Sequence, residues 1–151
     1  MITFYFFGTA VEKSVGGIKL VEMYLISGLV ASFGYIGFRN LLNLMYGAEA
    51  LGPAVGASGA VVAMVGITAM LYPTAEVLLY FIIPMKIKTA VYLFAGIEGI
   101  NLIAKALNYQ LPIIGLFASS AHLAGLAIGL YYGKKLQNKY SQRTSLLGPN
   151  Y

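Results

Sequence analysis

Long apolar runs broken by glycine, proline and single charges organise this chain. Residues 1–11 are apolar, carry Phe4, Tyr5, Phe6 and Phe7, and end at Glu12-Lys13. Eleven or twelve helical residues rise about 18 Å against a hydrocarbon core of about 30 Å. This run is therefore expected to be the second half of a spanning helix. No basic residue precedes it, which argues against a secretory signal peptide. Gly16-Gly17 mark a turn, and residues 18–38 read as a full span. Residues 39–53 mix Arg39, Asn40, Asn43, Gly47, Glu49 and Gly52, the composition of a loop or a partly re-entrant segment. Residues 58–72 predict a small-residue helix stopped by Pro73, and the run 77–83, between Pro73 and Pro84, is too short to span. Residues 86–107 predict another helix, interrupted by Glu98 and Asn101. A turn at 108–112 leads to a last helix over 113–133, and a polar tail expected to fray follows from Lys134.

Composition sharpens this pattern into a class. Hydrophobic residues make up 59% of the 151 positions and charged residues only 10%. Soluble domains carry roughly 25% charged residues, so this is an integral membrane protein. The expected fold class is all-α and polytopic, a helical bundle of about five transmembrane helices with the first incomplete. One transmembrane domain covers residues 1–135, and residues 136–151 form a polar cytoplasmic tail. No internal repeat and no soluble domain is visible. Cysteine is absent, which excludes disulfides and thiolate metal sites. The formal charge of +5 comes from basic residues scattered between apolar runs, which does not point to nucleic acid, and no nucleic-acid partner is expected. They read as topology determinants. With five crossings starting outside, one face receives Lys13, Lys19, Lys86, Lys88, Lys134, Lys135, Lys139 and Arg143, and the other only Arg39 and Lys105. That bias places the tail in the cytoplasm, in a multi-pass protein of the cell membrane.

Two short segments carry candidate chemistry. Gly56-Ala57-Ser58-Gly59 opens one apolar helix, offering a hydroxyl among residues too small to shield it. Ala121-His122-Leu123-Ala124-Gly125 puts the one histidine of the chain inside another, where an unpaired polar ring is costly. Their depths match. Ser58 lies 14 residues before Tyr72, a rise of about 21 Å, and His122 lies 12 residues before Lys134, about 18 Å from the same side. Small faces permit approach: Gly59, Ala63 and Gly66 on one helix, Gly125, Gly129 and Gly133 on the other. The serine also sits at a helix start, where free backbone N–H groups and the positive dipole end could hold an oxyanion. A nucleophile and a base on separate membrane helices point to proteolysis within the bilayer. Taken singly, each feature has a plainer reading. Gly-Ala-Ser-Gly is a common packing face, a membrane histidine can relay protons or pack, and Ser119 and Ser120 can back-bond to their own helix. Glu98, Asn101 and His122 could line a transport site, though no paired acids or broken-helix repeat accompany them.

At these residues the chain resembles the rhomboid family of intramembrane serine proteases. Gly56-Ala57-Ser58-Gly59 is similar to the nucleophile motif opening the family's fourth helix. Ala121-His122-Leu123-Ala124-Gly125-Leu126-Ala127-Ile128-Gly129 is similar to the Ala-His-x-x-Gly-x-x-x-Gly of its sixth, and Phe7-Gly8-Thr9-Ala10-Val11-Glu12-Lys13 to the end of its second. The resemblance implies a Ser58–His122 dyad without a third acidic member, acting on transmembrane protein substrates near the outer face of the lipid bilayer. It implies no metal and no organic cofactor. It also implies an alternative, a catalytically inactive rhomboid-like protein that binds membrane helices, but such relatives normally lack the serine and the histidine. Two departures stand out. The family's first helix, first loop and start of its second helix have no counterpart, and the asparagine that helps hold the oxyanion would fall just before Met1, as expected of an N-terminally truncated relative. Val62 stands where many members carry an aromatic ring that packs on the histidine, so a less well oriented base is expected. Neither substrate identity nor oligomeric state is written in this sequence.

Overall fold

A computed structural model describes residues 2–46, 57–79, 83–107 and 119–147. Five helices and one small hairpin make up the described chain: α1 (Ile2–Val15), α2 (Gly17–Tyr46), α3 (Ser58–Leu71), β1 (Glu76–Leu79), β2 (Ile83–Lys86), α4 (Ile87–Ala106) and α5 (Ser119–Leu147). The turn between α1 and α2 lies where the glycine pair predicts it. Gly16 has φ +84°, a hand that residues with a Cβ rarely adopt, and a Cβ there would meet nothing within 4 Å. The demand for glycine is thus one of backbone conformation rather than space.

Three sequence expectations are corrected. Helix α2 does not stop near residue 38 but runs to Tyr46, so residues 39–46 are helical, not loop. Helix α5 likewise continues through the lysines to Leu147, so the tail is not frayed from Lys134. In both stretches, residues with ordinary helical propensity simply extend a helix already nucleated inside the bundle. The short apolar run after Pro73 pairs as an antiparallel ribbon, with Glu76 opposite Lys86 and Leu79 opposite Ile83. Charges of opposite sign thus face each other across the open end. Ile87 N–H then donates to the Ala75 carbonyl at 2.8 Å, which ties the ribbon to the start of α4. The remainder of the expected re-entrant segment, 47–53, the turn at 108–112 and the expected helix start at 113–118 lie outside the described residues.

Packing is organised around α3, which meets α1, α2, α4 and α5. Val11, Leu20, Met23, Ala63, Met64 and Ile67 form one buried cluster, while Ala69, Ile87, Val91 and Leu126 form a second. The outer surface is apolar. Ile18, Val21, Leu25, Leu29 and Phe33 are exposed along α2, and Tyr92, Leu93, Ile97, Ile100 and Ile103 along α4. The same α4 buries Glu98 and Asn101. A helix that exposes isoleucine and hides a carboxylate is built for lipid as its solvent. Two described helices, spanning 17–45 and 87–106, are long and apolar enough to cross a membrane.

Between α3 and α5 the backbones nearly touch. A Cβ on Gly125 would collide with the Gly59 carbonyl oxygen, and one on Gly129 with that of Ala63. A Cβ on Gly59 would itself come within 2.5 Å of the Ala31 Cβ on α2. At the opposite end of α3, Ser14 Oγ lies 2.8 Å from Tyr72 Oη, and Tyr140 Oη donates to the Ser14 carbonyl. The C-terminal end of α1, that of α3 and the lysine-bearing part of α5 therefore share one face of the bundle. Overpacking a tight contact of the α3–α5 kind costs about 1–3 kcal/mol or more, so Gly129→Leu is expected to lower the unfolding free energy by at least that. Gly96 has open space around it, and Gly96→Leu is expected to stay within about 0.5 kcal/mol of wild type. Unfolding by denaturing detergent in mixed micelles measures both.

Candidate active site

Ser58 is the first residue of α3, with Ala57 at the N-cap position. No side chain caps this end, and the first turn is closed by Val61 N–H donating to the Ala57 carbonyl at 3.1 Å. The earlier amides of such a turn have no intrahelical acceptor and point along the axis past the serine. Ser58 is exposed. Gly56, the first residue of the motif, lies outside the described residues.

His122 sits one turn into α5 and is 7% exposed. Its Nε2 lies 3.0 Å from Ser58 Oγ, although 64 residues separate them. The small residues named from the sequence create this meeting. Ala121 packs with Ala31 and Tyr35 in a third buried cluster, and the Ala121 carbonyl lies 3.1 Å from where a Gly59 Cβ would be. Gly59, Gly125 and Gly129 let the helices close below the pair. Ser58, His122, Ala57, Gly59, Ala121, Gly125 and Gly129 are thus assembled at one end of the α3–α5 contact.

One partner escaped the sequence reading. Glu98 Oε1 lies 2.7 Å from His122 Nδ1, and the side chains are 5% and 8% exposed. The resemblance implies no third acidic member, yet a carboxylate stands on the far side of the imidazole. A signal for it existed: an acid on a lipid-exposed helix must face inward, and the sole histidine is a natural partner. Around it the core is polar and under-bonded. Glu98 Oε2, both side-chain polar atoms of Asn101 and Ser119 Oγ are buried without hydrogen-bond partners. Ser119 therefore does not make the expected back-bond. The missing ring at Val62 is also offset. Phe94 of α4 stands with its ring centroid 5.9 Å from that of His122, tilted by 43°, while Val62 joins the apolar cluster around Ile87 and Leu126. On its Nδ1 side and beside its ring the imidazole is contacted from α4.

No group of three or more His, Cys, Asp or Glu able to hold a metal occurs among the described residues. The arrangement suits nucleophilic acyl chemistry: a hydroxyl, a nitrogen acceptor for its proton, and a helix N-terminus for developing negative charge.

Fold and site together define a polytopic helical membrane protein with a serine and a histidine joined across two helices. The chain belongs to the rhomboid family: the rhomboid domain model matches residues 1–139. It is 30% identical over 146 residues to Rhomboid protein 1, mitochondrial, of Saccharomyces cerevisiae, covering 95% of this chain and 39% of that protein. RHOMBOID-like protein 12, mitochondrial, of Arabidopsis thaliana is 31% identical over 137 residues, covering 85% of this chain and 38% of the relative. Rhomboid protease GlpG of Haemophilus influenzae is 28% identical over 133 residues, covering 86% and 56% respectively. The chain thus spans between about two fifths and just over half the length of these relatives. No solved structure matches. Membership carries an integral membrane location.

Removing the histidine would leave Glu98 Oε1 buried without its imidazole partner. Breaking a buried pair from one side costs about 3–5 kcal/mol. His122→Ala is therefore expected to destabilise the protein by a comparable amount, and adding Glu98→Leu to that variant to recover a large part. Unfolding midpoints of the two single variants and the double variant complete the cycle.

Proposed function

We propose that this protein is an intramembrane serine endopeptidase that hydrolyses peptide bonds of transmembrane substrates through Ser58 and His122. The observation carrying the proposal is the 3.0 Å approach of Ser58 Oγ to His122 Nε2 at the N-terminus of α3. His122 Nε2 takes the Ser58 proton as Oγ bonds to the scissile carbonyl carbon. The carbonyl oxygen becomes an oxyanion, held by the Ser58 N–H and the positive end of α3. The tetrahedral species collapses, the C–N bond breaks, and His122 gives its proton to the leaving amine. A water molecule reaching exposed Ser58 then loses a proton to His122 and attacks the acyl ester. Release of the acid returns the proton to Ser58 Oγ.

Depth supports a membrane-embedded substrate. The face shared by Ser14, Tyr72 and Tyr140 lies at the C-terminal end of α3. Ser58 stands 14 helical residues from that end, about 21 Å away. The count of eight basic residues against two orients that face toward the cytoplasm, in a cell membrane. The scissile bond then lies beneath the outer leaflet. Substrate partners are transmembrane proteins, and no metal or organic cofactor takes part in these steps.

A fluorophosphonate probe is expected to label wild-type protein but not Ser58→Ala. Cleavage of a reconstituted transmembrane substrate is expected to fall by on the order of 10⁴-fold or more in Ser58→Ala and in His122→Ala, the size seen when a serine–histidine unit loses a member. Equal labelling of wild type and Ser58→Ala would reject the reading. A stable complex with a membrane helix that is never cut would favour the inactive, helix-binding alternative.

A further inference from the structure

We infer that Glu98 is a positioning residue that holds His122 in the tautomer and orientation in which Nε2 can act as base, an inference that rests on the hydrolase reading above. An ionised carboxylate only accepts hydrogen bonds, so the 2.7 Å contact requires the proton on Nδ1. The Nε2 lone pair then faces Ser58 Oγ at 3.0 Å. With a donor at position 98 the ring would reverse its roles, presenting Nε2–H to the serine, and that form cannot take the hydroxyl proton. Helix α4 supplies this constraint from outside the α3–α5 contact. Glu98 is 3% exposed, and the Phe94 ring one turn earlier stands beside the same imidazole.

The second oxygen gives the carboxylate a role beyond orientation. Glu98 Oε2 is buried without a partner, as are both side-chain polar atoms of Asn101 and Ser119 Oγ nearby in sequence on α4 and α5. A negative charge left under-bonded in this way interacts more favourably with an imidazolium than with a neutral ring. The imidazolium exists only after Ser58 has given up its proton, so the carboxylate favours the species formed on the way to the acyl enzyme. The groups acting on the pair are Ser58 from α3, Glu98 and Lys105 from α4, and Ser119 and the imidazole itself from α5. Lys105 interacts with Glu98 from the same helix, so Glu98 remains the negative charge adjoining the ring.

The single histidine makes the test clean. In full-length protein labelled with ¹⁵N-histidine in nanodiscs, at a pH where the ring is neutral, Nδ1 is expected to carry the proton and Nε2 to be bare. This measurement needs no variant to fold. A ring protonated on Nε2 would overturn the proposal. Glu98→Gln, close in volume but uncharged, is expected to slow fluorophosphonate labelling of Ser58 by up to on the order of 10⁴-fold, the loss seen when a triad carboxylate is replaced by an amide. Glu98→Asp, which keeps the charge beside the ring, is expected to recover part of the rate. A wild-type rate in Glu98→Gln would overturn the role of Glu98 while leaving the hydrolase reading intact. A wild-type protein that resists the probe would overturn both.

Discussion

The approach of α3 to α5 sets the position of every polar group in the bundle core. Gly125 and Gly129 leave no side chain between the two backbones, and the carbonyls of Gly59 and Ala63 occupy the space a Cβ would need. In lipid there is no hydrophobic gain from bringing two apolar helices together, so close van der Waals contact and interhelical hydrogen bonds must do it. Ser58 precedes Gly59 by one residue, and His122 precedes Gly125 by three. The reactive pair is therefore the polar end of the same contact, and its distance is fixed by how near the glycines allow the backbones to come.

A second constraint comes from α4, which is inverted relative to a helix in water. Its isoleucines at 97, 100 and 103 face outward, while Glu98 and Asn101 face inward. In an aqueous protein the same helix would lose by both choices; in a bilayer it gains from both, because hydrocarbon penalises an outward carboxylate far more than an inward one with a partner. The short β1–β2 ribbon leads directly into α4 through the Ala75–Ile87 hydrogen bond. That ribbon thereby anchors the start of α4.

The sequence made the helices and the serine–histidine meeting legible because both depend on local rules. Apolar runs, Gly16-Gly17 and Pro73 mark helix ends, and small residues at spacings of three and four mark a packing face. Equal distances from the lysine-bearing side then place Ser58 and His122 at one depth. What was missed depends on long-range context. Residues 39–46 look like a loop by composition, but attachment to a long nucleated helix keeps them helical. Residues 76–79 pair with 83–86 as a ribbon, a contact between two segments that neither shows by itself. Glu98 reads in the sequence only as part of a possible transport site with Asn101 and His122, since no spacing rule pairs positions 98 and 122. Its partner is set by the rotation of α4 about its own axis, which no segment of sequence fixes by itself.

That rotation has an energetic meaning. Burying a carboxylate costs several kcal/mol even after relaxation, and one hydrogen bond to a neutral imidazole, worth about 1.5–3 kcal/mol, does not offset it. An isolated structural pair would be an expensive way to join two helices, because apolar residues of equal volume would do so at lower cost. The balance changes when the ring becomes positive. A carboxylate 2.7 Å from Nδ1, itself buried, then meets an opposite charge at short range in a weakly polar medium. The ground state bears the cost and the charged intermediate recovers it, which is differential stabilisation rather than tight binding. The same cluster that looks under-bonded as a piece of protein core is well matched to a proton moving from Ser58 to His122.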